Sequence, residues 1–354
     1  MKKLLALVLT AALLTPMSLS VFATAPDTST VIYNDEFNFQ LVETVDENNR
    51  IIRTYHKDEQ PQTQSTYSLR SVGNDTDNYE RTKALLSDLG MGDAFISELS
   101  DEQLEEYAAS ESMTGIVSYT KSDIEGNVTY VSEEEASVCG GPSTGGNQDI
   151  MDGGDGGSNV YTDEVVDSYM RLYYMVIYLT EAEYKHTVTA EWLTMPFWRS
   201  YDSLGVCSNG LTVEMDSRYG WASYDYTVET LFSSETENIK TYFSSSDFQQ
   251  PINGDWHGAG VVFNLPETIP SDGYTEYITN YKVYFEYKSL VRYPTLETYI
   301  ETNACYEHSK ATVVLSPSLE INSEEVGVSI GISGDWTTEK RTAYFDQSIH
   351  YIPD

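Results

Sequence analysis

The chain has 354 residues, and 56 acidic against 20 basic side chains leave a formal charge of −36. A surface this acidic repels nucleic acid and anionic membranes over roughly a Debye length, ~10 Å at 0.1 M salt, which argues against both as partners. Aromatic residues make up 12% of the chain, with 28 tyrosines, a composition that favours strands.

The N-terminus, "MKKLLALVLTAALLTPMSLSVFATA", has a basic start at Lys2 and Lys3 and an apolar run from Leu4 to Leu14. Small residues around Ala23 and Ala25 follow. That order is a secretory signal peptide, with cleavage placed after Ala23 and residues 1–23 removed. No later segment approaches the roughly 20 apolar residues of a membrane helix. The expectation is a secreted, extracellular protein of bacterial type, without stable membrane insertion.

Residues 26–138 are expected to form a small acidic α+β module, removable as a pro-region. Two strand-like runs flank Asp46-Glu47-Asn48-Asn49, a good hairpin turn. Asp77 with Glu80 predicts a helix start, Ala84 to Leu89 supply its apolar stripe, and Gly90 ends it. A short helix follows at Asp93–Leu99. Ser100 with Gln103 predicts a capping box for the next one. A second hairpin turns at Glu125-Gly126-Asn127.

Residues 139–158, "CGGPSTGGNQDIMDGGDGGS", place Asp149, Asp152 and Asp155 at three-residue spacing among glycines. An EF-hand loop needs ligands at alternate positions and a closing glutamate, and neither is present. The stretch reads as a flexible linker, with no metal site and no cofactor.

Residues 159–354 read as an antiparallel β-sandwich, which makes the chain mainly β. "YKHTVTAEWL" alternates, placing Tyr184, His186, Val188, Ala190 and Trp192 on one face. "YKVYFEYK" does so with Tyr281, Val283, Phe285 and Tyr287, and "GVSIGISG" with Val328 and Ile330. Period two is the pattern of a half-buried strand. "SYMRLYYMVIYL" is apolar at every phase, as either a central strand or a buried helix would be. Cys207 and Cys305 lie in strand-rich sequence and are the expected pair if one disulfide forms, leaving Cys139 over.

No catalytic residues emerge. The five histidines show no two-histidine metal spacing, and no nucleophile motif is present. His186, on an apolar face, reads as a hydrogen-bonded core histidine. Arg199 and Asp202 read as an ion pair pinning a loop. Two triplets, Gly254-Asp255-Trp256 and Gly334-Asp335-Trp336, offer a ligand site. There Trp256 and Trp336 would stack on a ligand and Asp255 and Asp335 would orient it. The functional reading is a non-enzymatic extracellular binding or surface-interaction protein taking a glycan or a protein ligand. A secreted hydrolase built on a carboxylate pair is the first alternative. A secreted pore-forming or bacteriocin-like toxin is the second, although eight residues of "GVSIGISG" fall short of the 9–11 a membrane strand needs.

Overall fold

The computed structural model describes residues 29–57, 75–123, 125–139, 167–180, 182–196, 201–230, 232–249, 257–265, 274–309, 318–322, 327–331, 338–344 and 349–352. The first half holds β1 (Thr30–Asn34), β2 (Phe39–Val45) and β3 (Ile51–His56). Helices α1 (Asp75–Asp88), α2 (Asp93–Ile96) and α3 (Asp101–Ala109) follow. It ends with β4 (Ser112–Ser122), β5 (Val128–Val131) and α4 (Glu133–Cys139). Next come β6 (Ser168–Thr180), β7 (Glu183–Thr194), β8 (Tyr201–Ser208), β9 (Leu211–Val213), β10 (Tyr219–Thr230) and β11 (Ser234–Tyr242). They are followed by β12 (Phe248–Gln249), β13 (Gly258–Asn264), β14 (Tyr274–Val291), β15 (Thr298–Ile300) and β16 (Thr302–Ser309). The last four are β17 (Ser318–Asn322), β18 (Gly327–Gly331), β19 (Thr338–Tyr344) and β20 (Ile349–Tyr351).

The fold is mainly β and sandwich-like. An 11-stranded antiparallel sheet runs β1-β2-β3-β4-β6-β7-β14-β10-β11, with β5 beside β4 and β9 beside β14. A five-stranded sheet, β12-β13-β8-β16-β19, faces it. Leu172 and Tyr174 of β6, Val188 of β7 and Phe285 of β14 meet Leu204, Val206, Val261 and Tyr306 of the small sheet in one apolar layer. The opposite face of the large sheet is covered by the helices. There Leu86, Leu89, Phe95 and Tyr107 pack on Val117, Tyr173, Trp221 and Tyr284.

Two buried faces explain β6. Its even positions, Met170 to Val176, enter the inter-sheet core, and its odd positions, Tyr169 to Ile177, enter the helix-side core. The ambiguous apolar run is thus a central strand rather than a helix, and half-buried alternation disappears because neither face meets water.

The expected boundary between an N-terminal module and a C-terminal sandwich falls between two paired strands. β4 pairs β6 without interruption from Ser112↔Tyr178 to Ser122↔Ser168, so one sheet crosses the junction. The glycine-rich stretch, with Asp149, Asp152 and Asp155, lies outside the described residues.

Local signals in the first half fare better. Asp46 Oδ1 accepts the amides of Asn48 and Arg50, and Asn49 takes a positive φ in the hairpin. Ser100 and Gln103 form the reciprocal capping box. Gly90 has φ +104° just past α1, where a Cβ would also stand 2.4 Å from Val117 Cγ2. Asp77 lies inside α1 rather than at its start, because the helix begins at Asp75.

Expressed alone, residues 159–354 would leave β6 without its β4 partner and strip the helices from Tyr173, Trp221 and Tyr284. Each such aromatic loses about 1.5–3 kcal/mol of burial. We expect this fragment to lack a cooperative thermal transition, and co-expression with residues 24–139 to restore one. A fragment melting within a few degrees of the full chain would contradict the continuous sheet.

Candidate functional site

Burial decides where chemistry can occur. His186 is completely buried, with Nδ1 bonded to the Tyr174 hydroxyl at 2.9 Å and Nε2 to Ser289 Oγ at 2.8 Å. Burial pushes its pKa down to about 3, which keeps the ring neutral. It is the hydrogen-bonded core histidine its strand pattern predicts. Asp202 is also fully buried, and its carboxylate bonds His308 Nδ1 at 2.8 Å and accepts the Tyr306 hydroxyl. The Tyr306 oxygen in turn takes the Trp192 indole N–H at 2.8 Å. Arg199, the partner expected for Asp202, lies outside the described residues. Both networks sit in the inter-sheet core, closed to a substrate.

Cys207 and Cys305 are buried thiols, not a disulfide. They lie on neighbouring strands, but the register pairs Cys207 with Asn303 and Cys305 with Gly205. Such diagonal positions on an antiparallel pair sit about 7–8 Å apart, beyond ordinary disulfide reach.

Trp256, Asp255, Trp336 and Asp335 lie outside the described residues. The strands that follow them begin far apart, however. β13 starts with Gly258 opposite Cys207, whereas β19 starts with Thr338 opposite Ser309, at the other end of the small sheet. Those start points are separated by most of the length of β8, roughly 20 Å at ~3.3 Å per residue.

The open cleft lies instead on the helix side of the large sheet. It has a volume of about 750 Å³ and is bordered by α3, by β7 and β14, and by the 3-10 turn Met215–Ser217. Its floor is an ion-pair cluster. Lys185 Nζ, on a side chain only 3% exposed, contacts Glu106 Oε2 at 2.7 Å and Glu286 Oε2 at 3.0 Å. Lys288 also contacts Glu106, and reaches Glu183 at 3.5 Å. Tyr284 donates to Glu286 at 2.5 Å, and Gln103 Nε2 donates to its other oxygen at 2.9 Å. Burial raises the Glu106 pKa, but Lys185 and Lys288 outweigh it and hold the carboxyl below its ordinary value. Burial likewise opposes the charge on Lys185, yet its partners keep the ammonium above its usual range.

This geometry bears on a hydrolase. Glu106 and Glu286 converge, as a carboxylate pair would, but the space between them is filled by Lys185. A glycoside hydrolase needs one carboxyl protonated and poised on the substrate. Glu106 is held ionised and both groups are tied up, so the pair braces α3 against β7 and β14.

Two exposed tyrosines lie beside the cleft, outside its lining, and Lys240 Nζ sits 5.2 Å from the ring of one of them, Tyr242. Tyr219 is the cross-strand neighbour of Glu286 on the same face, 37% exposed. Its ring lies 6.2 Å from that of Tyr242, which is 58% exposed. Behind them Trp221 stacks on Tyr284 at 5.7 Å, and Lys240 Nζ sits 4.2 Å from the Trp221 ring while pairing with Glu98. Glu102, Glu214, Asp216 and Ser217 complete the polar lining. The sequence did not single out this site. Tyr219 and Tyr242 look like ordinary strand tyrosines, and α3 joins β14 only through a fold that brings residues 103 and 286 together.

No family model matches the chain, and no curated protein matches it significantly. Among solved structures it is similar to the T6 backbone pilin of serotype M6 Streptococcus pyogenes, described as a modular three-domain structure decorated with variable loops and extensions. The identity is 9%, the TM-score 0.22, and the match covers 90% of this chain and 60% of the pilin chain. The chain thus spans under two thirds of that protein's length, and the similarity is too low to assign fold or function. Among the described residues, no helix is long and apolar enough to cross a membrane.

Replacing Lys185 by Met strands two partly buried carboxylates, at a cost of about 3 kcal/mol or more at neutral pH. Glu106 has its folded pKa below the unfolded 4.5, so its stabilisation is present above pH 4.5 and lost as pH falls below it. The stability gap between wild type and Lys185→Met, followed by urea unfolding, should therefore narrow below pH 4.5. A gap that is absent at neutral pH, or that widens in acid, would contradict this ion-pair account.

Proposed function

We propose that this chain is a secreted, non-enzymatic binding protein that takes a glycan at the cleft beside α3. The observation that carries the reading is the exposed Tyr219 ring, cross-strand neighbour of the cleft residue Glu286, with the exposed Tyr242 ring 6.2 Å from it, beside a cleft lined with carboxylates. Aromatic faces stack on the apolar faces of sugar rings, while carboxylates and the Lys288 ammonium accept from or donate to hydroxyls. The lining carries more acidic than basic groups, which favours neutral or amino-bearing sugars over anionic ones. Export rests on the N-terminal pattern of basic, apolar and small residues. The Gly-Asp-Trp triplets are not needed for this site and stand as a separate proposal for contacts at the ends of the small sheet.

The test is a glycan array probed with the mature protein and with Tyr219→Ala, Tyr242→Ala and the double variant. Half-exposed tyrosines should be removable with little change in melting temperature. For whichever neutral or amino-bearing glycan binds, the double variant should lose at least tenfold in affinity, about 1.4 kcal/mol. Undiminished binding by a folded double variant, or binding of anionic glycans alone, would remove the cleft as the site.

A further inference from the structure

Beyond the cleft, the large sheet ends in a ribbon. β10 from Asp225 onward, β11, and β14 up to Asn280 extend from the apolar core, with Ile278 still buried, and among the described residues β11 is one of the two end strands of the sheet's main path. Seven of its nine residues are exposed. The ribbon's outer pair of strands is in continuous register, whereas β10 and β14 shift register between Ser223 and Asp225 at the base of the ribbon. β10 pairs β11 over nine consecutive positions from Trp221↔Tyr242 to Glu229↔Ser234. Asp225 ties three strands together, its two oxygens taking Asn238 Nδ2 at 2.8 Å and Asn280 Nδ2 at 2.6 Å.

An edge strand is a template for pairing, and single-chain proteins usually blunt it with proline, a bulge or an inward charge. β11 has no proline, and its pairing with β10 shows no bulge. Its lysine, Lys240, is occupied by Glu98 and the Trp221 ring. The two faces of the ribbon differ. One carries Asp225 opposite Asn238, Thr227 opposite Thr236 and Glu229 opposite Ser234, with Tyr277 beside Thr227. On the other, Glu235 and Glu276 flank Val228, and Glu237 and Ile278 flank Tyr226. That face therefore carries three glutamates, and no lysine or arginine occurs in its strand positions. Phe232, at the turn between β10 and β11, is 97% exposed.

We propose that the β11 edge docks an extended basic segment of an extracellular protein, which joins the sheet as an added strand. Main-chain bonds would supply affinity, and alternate side chains would read the two faces. Lysine or arginine at every second position would meet Glu235 and Glu237, with intervening polar residues against Thr236 and Asn238. A second copy of this chain fits poorly, since each carries −36 and the same acidic face.

The proposal is independent of the cleft and is tested with a defined probe on the full mature chain. The probe is the peptide Lys-Thr-Lys-Thr-Lys-Thr-Lys, measured by calorimetry and by amide hydrogen exchange. Three controls accompany it. One is the same peptide with alternate backbone amides methylated, one replaces Lys by Glu, and one is the protein variant Glu235→Gln/Glu237→Gln. The expected result is saturable binding with slowed exchange in β11. Affinity should fall at least tenfold with the methylated peptide and with the double variant, and the Glu peptide should not bind. Binding should also weaken as salt rises. Equal binding of the methylated peptide would overturn strand addition and leave only charge attraction. Absence of binding by the Lys peptide, or protection elsewhere than β11, would overturn the proposal outright. Salt-insensitive self-association through β11 would replace the basic partner with a second copy.

Discussion

The structure depends on one ladder, the eleven backbone pairs that join β4 to β6. Without it the first half would be five strands and some short acidic helices with little to bury. With it, those helices gain a platform of aromatic side chains, and the large sheet gains a cover on its outer face. Gly115 shows how close the layers come. A Cβ there would lie 2.5 Å from the Leu89 carbonyl, so the end of α1 rests on the backbone of β4.

The tyrosine-rich composition follows from having two apolar layers. Tyr107, Tyr173 and Tyr284 fill the helix side, whereas Tyr174, Tyr281, Tyr287 and Tyr306 fill the space between the sheets. Tyrosine brings a large apolar ring with a polar tip, and a buried tip needs a partner. The partners here are often other buried polar groups, which is why Tyr174 meets His186 and Thr302, and Tyr306 meets Asp202 and Trp192. The interior is therefore fastened by polar networks within an apolar frame, and the Lys185 cluster is the same device at the surface.

Much of the fold is readable in local pattern. The alternation in β7 and β14, the capping box at Ser100, and the positive-φ turns at Asn49 and Gly126 are short-range signals, and the structure has each of them. What escaped was long-range pairing. A glycine-rich stretch has the same composition whether it joins two domains or two neighbouring strands of one sheet. The candidate site escaped for the same reason. Its floor joins α3, β7 and β14, and the tyrosines beside it come from β10 and β11, so no window of sequence contains it. The register of the two cysteines was hidden in the same way, because cysteine spacing says nothing about which residues face each other across β8 and β16.

A sheet that crosses the chain midpoint predicts that both halves open as one cooperative unit. Native-state hydrogen exchange measures this most directly, since each amide reports the free energy of the opening that exposes it. Amides of β4 between Met113 and Lys121 should exchange with the same opening free energy, and the same denaturant dependence, as those of β7 and the core part of β14. If β1 to β4 opened together at a distinctly lower free energy, while β7 and β14 stayed protected, the first half would be a separate unit and the account would fail.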